Sequence, residues 1–281
     1  MAITRQDIAD LAVFTWGPGP TSLLAVVSNV EFSLPVDAVE GRGIKYRGKS
    51  PQAVKQGGII RTTLMSDVSS CVRVANVDVS AFTIGGVNFL AYLRGGSFSG
   101  SFEHDEAGGV GDYWKYPLVT VKDYASSVTL SIPDSGTANA FQDILAAGLA
   151  HATPANAIAA RDVAFSITIN GVAVTVPMFI ADATWGGEAG RLQTVNLSLQ
   201  GKDCDPTNYP TAPTGTTTLL EKALNAPKTP LAFSLTPKAT NSANLAGEMV
   251  FSSFSFGFDD GQLIQTQYEF LTHGAVTPTG N

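Results

Sequence analysis

The sequence predicts a mainly β chain: two similar β-sandwich or β-barrel-like domains, each flanked by one short α-helix. Three observations carry that reading. The 281 residues include 28 Gly and 15 Pro, are 44 % hydrophobic and only 15 % charged, which suits short strands joined by turns around sizeable cores. Apolar residues alternate with polar ones in runs of five to ten, the period of a half-buried strand. The chain also repeats itself, and a repeat has to be read before single elements are. Met178–Leu199 (MFIADATWGGEAGRLQTVNLSL) lies over Met249–Phe270 (MVFSSFSFGFDDGQLIQTQYEF) at a constant spacing of seventy-one. Trp185 then meets Phe256, Gly186 meets Gly257, Glu188 meets Asp259, Gly190 meets Gly261 and Leu192 meets Leu263.

Taken in order, Gln6–Phe14 predicts a short helix, stopped by Gly17-Pro18-Gly19-Pro20. Leu23–Leu34 predicts a strand, residues 35–51 a charged loop, and Gly58–Met65 a second strand. Val72–Val79 leads into Phe82–Leu93, where Gly85-Gly86 predicts a tight hairpin turn. Ser97–Phe102 is a strand, Glu103–Tyr116 a second charged loop, and Leu118–Val121 and Val128–Ile132 are strands. Thr137–Ala150 predicts a helix, with Phe141, Ile144, Leu145 and Leu149 at helical spacing. Val163–Ile169 and Val172–Phe179 flank Asn170-Gly171, a strong hairpin signal. Strands around Trp185 and at Val195–Leu199 close this unit, and a Pro-rich connector spans 203–215. Thr216–Asn225 predicts a second short helix, followed by strands at Leu231–Thr236, Met249–Phe258 and Leu263–Leu271.

Helix followed by three strands thus occurs twice. Ala164–Thr168 (AFSIT) is echoed by Ala232–Thr236 (AFSLT). A front half of strand, charged loop and strand also occurs twice: Asn29–Asp67 matches Gly96–Asp134 at a spacing of sixty-seven, with Val54-Lys55 meeting Val121-Lys122. The economical parse is nested. An outer domain is built from 1–75 plus 206–281, and a second copy, 76–205, is inserted between its halves; insertion at a surface loop is structurally tolerated. A tandem split near residue 135 is the competing parse. Under nesting, Cys71 and Cys204 fall near the two junctions and are neighbours in space.

The chemistry of the chain is sparse. No nucleophile elbow, zinc-protease helix, phosphate-binding loop or C-x-x-C pair occurs, and there are three histidines and two cysteines. Glu103-His104-Asp105-Glu106 is the richest polar cluster and reads first as a solvated arm. Asp259-Asp260-Gly261 lacks the spaced acids of a calcium loop and reads as a turn. Tyr113, Trp114 and Tyr116 could form an aromatic platform or pack the loop against a neighbouring subunit. No cofactor, no metal and no enzymatic activity are expected. A net charge of −7 argues against a surface that grips nucleic acid. There is no apolar run long enough to span a membrane and no signal-peptide pattern in MAITRQDIADLAVF, so assembly in a cytoplasm is expected.

Phe141–Gly201, ending in LQTVNLSLQG, combines a helix, an Asn-Gly hairpin, and a strand–Gly/acid turn–strand. That passage resembles the C-terminal half of the major tail tube proteins of long-tailed bacteriophages. Gly257–Gly274 resembles the same proteins' C-terminus, and the front half with its charged loop resembles their ring-contacting loop. The resemblance covers most of the chain as a pattern of elements. It implies tail-tube domains, six to a ring around a DNA channel. Because two copies lie in one chain, three chains would make a pseudo-hexameric ring. It further implies a virion location and self-association as stacked homotrimers. The other partners implied are the tape measure, tail terminator and baseplate, with DNA passing through the lumen without specific binding.

The charged loops give the candidate contact residues. One loop holds Arg42, Lys45, Arg47 and Lys49; its counterpart holds Glu103, Asp105, Glu106 and Asp112, with Trp114 beside them. Opposite charge at equivalent positions would set the register between neighbouring domains or successive rings, unless both loops are simply solvated. Two other readings remain open: a baseplate hub or distal tail ring of the same fold, and a β-sandwich ligand-binding module.

Overall fold

A computed structural model describes residues 11–16, 21–22, 27–41, 50–64, 79–109, 111–131, 161–169, 172–187, 193–202, 219–225, 227–237, 244–259 and 266–279. The chain is mainly β. Fifteen strands form one antiparallel sheet and two more form a separate hairpin. The strands are β1 (Leu11–Trp16), β2 (Thr21–Ser22), β3 (Val27–Ser33), β4 (Val36–Gly41), β5 (Ser50–Gln56) and β6 (Ile59–Leu64). They continue with β7 (Val79–Ile84), β8 (Val87–Asn88), β9 (Leu93–Glu106), β10 (Pro117–Ser131), β11 (Asp162–Ile169), β12 (Val172–Gly186) and β13 (Thr194–Gly201). Last come β14 (Leu231–Pro237), β15 (Asn244–Asp259), β16 (Thr266–Thr272) and β17 (Thr277–Thr279). Among the described residues the α-helix is α1, Leu219–Asn225, which buries Leu219, Ala223 and Leu224. The helix expected at Thr137–Ala150 lies outside the described residues, as do both cysteines.

Alternation explains most of the strands. Along β16 every second residue is buried, and β13 behaves likewise, so each presents one apolar face to the core. Within β10 the alternation slips where Thr120 is an extra residue between the Val119–His104 and Val121–Glu103 pairs. Gly85 and Gly86 both take positive φ, 60° and 80°, and make the tight turn between β7 and β8 that the Gly-Gly pair predicts.

Three expectations are corrected. Leu11–Phe14, expected to be helical, belongs to β1, because pairing with β14 overrides a weak local pattern. Within the loop expected at residues 35–51, Val36–Gly41 is β4 and Ser50 begins β5, the two strands pairing Asp37 with Lys55 and Val39 with Gln52; residues 42–49 lie outside the described residues. Likewise Glu103–Glu106 is not a solvated arm but the end of β9, pairing with Pro117–Val121 of β10.

Two runs of strands share one pairing order. The first is β1–β14–β15–β16–β6–β3 and the second is β7–β11–β12–β13–β10–β9. Their registers also agree, bulge for bulge. Ala12 and Ser80 are the extra residues in β1–β14 and β7–β11. Ser252 and Ala181 are the extra residues in β15–β16 and β12–β13. Ser28 and Arg94 play that part in β3–β6 and β9–β10, as do Val54 in the separate β4–β5 hairpin and Thr120 farther along β9–β10. A bulge is a positional device rather than noise, so four coincidences are informative. The ladders also shift one sequence alignment. Val54 corresponds to Thr120, not Val121, and Phe32 to Phe98, a spacing of sixty-six. One residue matters here because a slip by one turns every side chain to the other face.

Candidate functional site

The two runs meet along a single seam. β15 is long enough to change partners. Its residues Leu245–Met249 pair with β14, and its far end, Ser253–Asp259, pairs with Gly95–Ser101 of β9. At the centre Phe98 stands opposite Phe256, ring centroids 5.5 Å apart. Phe98 also lies 5.9 Å from Phe254 and from Tyr124, and 5.8 Å from Phe165, where the two rings are within 6° of parallel. On either side of Phe98 the β9 residue is glycine because a ring from β15 fills its place. A Cβ on Gly100 would sit 2.4 Å from the ring of its partner Phe254. One on Gly96 would sit 2.8 Å from the ring of Phe258 and 2.4 Å from the Ser127 carbonyl oxygen.

A second contact joins the acidic segment to the β4–β5 hairpin. The chain after β9 turns back along β5: the Gln56 N–H donates to the Tyr113 carbonyl at 2.8 Å and the Lys115 N–H donates to the Gln56 carbonyl at 2.9 Å. Two ion pairs flank this ladder, Lys55–Glu106 at 3.6 Å and Lys115–Asp37 at 2.7 Å. Glu106 does more than pair. Its Oε1 accepts the N–H of Tyr116 at 2.8 Å and of Gly108 at 3.1 Å, closing the turn on itself. Burial pushes this carboxyl up, but those two N–H groups and the Lys55 charge outweigh it, and the net shift is below the ordinary glutamate value.

The other expected contact residues separate into groups. Glu103 and Asp105 are exposed along β9, and the Asp112 carboxylate accepts the Gly109 N–H at 2.6 Å within the turn. Trp114 is half-buried against the core and stacks edge-on with Tyr113, so it packs the turn. Arg42, Lys45, Arg47 and Lys49 lie outside the described residues, so their meeting with the acids is not seen. His104, from the same polar cluster, bonds the Phe251 carbonyl at 2.8 Å. Among the described residues no group of three or more His, Cys, Asp or Glu is placed to hold a metal ion.

A polar cleft of about 560 Å³ opens beside the seam, lined by Glu31, Arg61, Glu269, Asp123 and the serines of β9 and β15. Arg61 bridges its two acids, at 2.7 Å from Glu269 and 3.8 Å from Glu31, and the hydrogen bond to Glu269 raises its pKa further. Three of the four charges named here are therefore committed to one another. What the sequence reading missed is the edge carrying Trp185, the most exposed large apolar side chain among the described residues at 62 %. Its repeat partner Phe256, seventy-one residues on, is 3 % exposed, a contrast visible only in the structure.

No protein-family model and no curated protein matches the chain. Among solved structures, the chain is similar to a chain from the tail of an empty gene transfer agent particle, determined by helical refinement with C6 symmetry. That likeness has a TM-score of 0.31 and 16 % identity, over 48 % of this chain and 96 % of that one. The chain is also similar to one from the virion of a native gene transfer agent particle, with a TM-score of 0.23 and 10 % identity, over 69 % of this chain and 92 % of that one.

Proposed function

We propose that this chain is a structural component of a phage-like tail: a tube protein carrying two copies of one tube unit and polymerising as stacked trimeric rings. The outer unit is 1–75 plus 206–281 and the inner unit is 76–205. The observation that carries the reading is the pair of strand runs with one order, one register and four shared bulges, joined edge to edge through β15 and β9. Such a chain already contains one lateral contact between like units. Repetition of that contact between chains is the ordinary route to a ring, and closure removes sheet edges that would otherwise recruit strands at random.

The net charge of −7 fits a conduit past which a polyanion slides without binding. Opposed charge also supports the proposed role of the two charged segments. Lys55–Glu106 and Lys115–Asp37 already join them within one chain. Arg42, Lys45 and Arg47 would extend that complementarity to a neighbour's Glu103 and Asp105.

Electron microscopy of the purified protein tests the proposal. Long tubes with a central channel are expected. Isolated rings would point instead to a baseplate hub or distal tail ring of the same fold, and dispersed monomers would exclude both.

A further inference from the structure

The internal seam has a vacant counterpart at each end of the molecule. β12 pairs with β11 only as far as Phe179, so the side of Ala181–Gly186 that faces away from β13 has no strand on it among the described residues. This is the stretch equivalent to the part of β15 that receives β9. At the other end β3, the equivalent of β9, pairs only with β6 among the described residues. One unpaired edge therefore matches the receiving strand of the seam and the other matches the inserted strand.

We infer that the Ala181–Gly186 edge of one molecule takes the β3 strand of a second copy, antiparallel, with Trp185 opposite Phe32. The inference rests on the two-unit reading above and fixes the residues of the contact between chains. The register follows by transferring the Phe256–Phe98 pairing to equivalent positions, which sets Ala183 against Leu34, Thr184 against Ser33 and Gly187 against Val30.

Side-chain size supports this register independently. In the internal seam the inserted strand is lean and the receiving strand bulky: Gly100 meets Phe254 and Gly96 meets Phe258. On the open edges the sizes are exchanged. The inserted strand supplies Leu34 and Val30, and the receiving strand supplies Ala183 and Gly187. Each open pair again sets a small residue against a larger one, with less total bulk than the Gly–Phe pairs of the seam, and the central pair is aromatic in both. Exposure agrees too, since Trp185 at 62 % and Leu34 at 38 % are two of the few large apolar side chains left in solvent.

Cysteine cross-linking decides the matter. In a background with Cys71→Ser and Cys204→Ser, chains carrying Ser33→Cys are mixed with chains carrying Thr184→Cys and oxidised mildly. Directly opposed antiparallel residues lie ~4.5–5.5 Å apart at Cα, within disulfide reach. A disulfide-linked dimer is expected from the mixture and from neither chain alone, and not when Glu31→Cys, out of register, replaces Ser33→Cys. A second arm uses size. Ala183→Phe should reduce assembly at least tenfold by sedimentation, and adding Leu34→Gly should restore it by recreating the Gly–Phe pair. Circular dichroism identical to the parent shows that the single variant folds. Assembled particles that do not cross-link overturn the seam while leaving the tube reading in place. Cross-linking without tubes supports the seam and overturns the tube. A parent chain that stays monomeric at every concentration overturns both.

Discussion

Thr272 fastens the C-terminal end of β16 to the break between β5 and β6. Its hydroxyl accepts the Gly58 N–H at 2.6 Å and its own N–H donates to the Gly58 carbonyl at 2.8 Å, with the side chain 1 % exposed. Gly58 has no room for a side chain, since a Cβ would lie 2.4 Å from the Thr272 methyl. Thr272→Val keeps the shape and deletes the acceptor, leaving a buried N–H unsatisfied at a cost of about 1–3 kcal/mol. Thr272→Ser keeps the acceptor and should cost less. Urea unfolding of the two variants measures the difference, and equal losses would assign the effect to packing alone. Nothing in the sequence flags this pair: a threonine near a strand end and one glycine of a Gly-Gly step are individually ordinary.

The turn between β9 and β10 makes a prediction at the scale of the element. The Glu106 carboxyl titrates below its ordinary value because the charged form is held by Tyr116, Gly108 and Lys55. A depressed carboxyl stabilises the fold above its unfolded value, about 4.3, and that contribution is lost as pH falls through the lower folded value. Protection of the Gly108 and Tyr116 amides, measured against their intrinsic exchange rates, should therefore fall in the parent as pH drops below the ordinary glutamate range. In Glu106→Gln it should be lower at neutral pH and change little with acid. A parent profile as flat as the variant's would remove Glu106 from the clamp. Elements of this kind show how far the sequence could be read. Alternation located most strands, and Gly85-Gly86 located a turn, because both signals are local. The β4–β5 hairpin was taken for loop because the stretch it belongs to carries many charged residues and prolines at both ends, whereas the pairing of the two strands decides its form. The register of the front half was misread by one residue, since few residue types recur between the two copies and the spacing is fixed only by the ladder pairings. The acidic half of the candidate contact surface was legible as charge. The Trp185 edge was not, because exposure is a property of which neighbours are missing.

The whole molecule is tied together through Phe98. Its ring touches Tyr124 and Phe165 of one strand run and Phe254 and Phe256 of the other, and it is fully buried. Phe98→Ala should cost about 3–5 kcal/mol, as large-to-small changes in a packed core do. Because both runs share that ring, tryptophan fluorescence and far-ultraviolet circular dichroism should report one coincident, shifted transition. Two transitions, with only one displaced, would mean that the halves fold independently. A single core also explains why the two expected sandwich-like domains share one continuous sheet: β15 pairs with β14 and β16 of one run while its end, Ser253–Asp259, pairs with β9 of the other.

The exchange of bulky and lean positions between β9 and β3 has a consequence for growth. Rims that differ in profile cannot mate with themselves, so two copies have no route to a symmetric pair through either rim. On the proposed seam, addition would run one way round, each newcomer presenting its prominent strand to the recess left by the last. An oligomer built on that rule would have a direction before any other component arrives, with shape complementarity acting beside the charge complementarity of the loops.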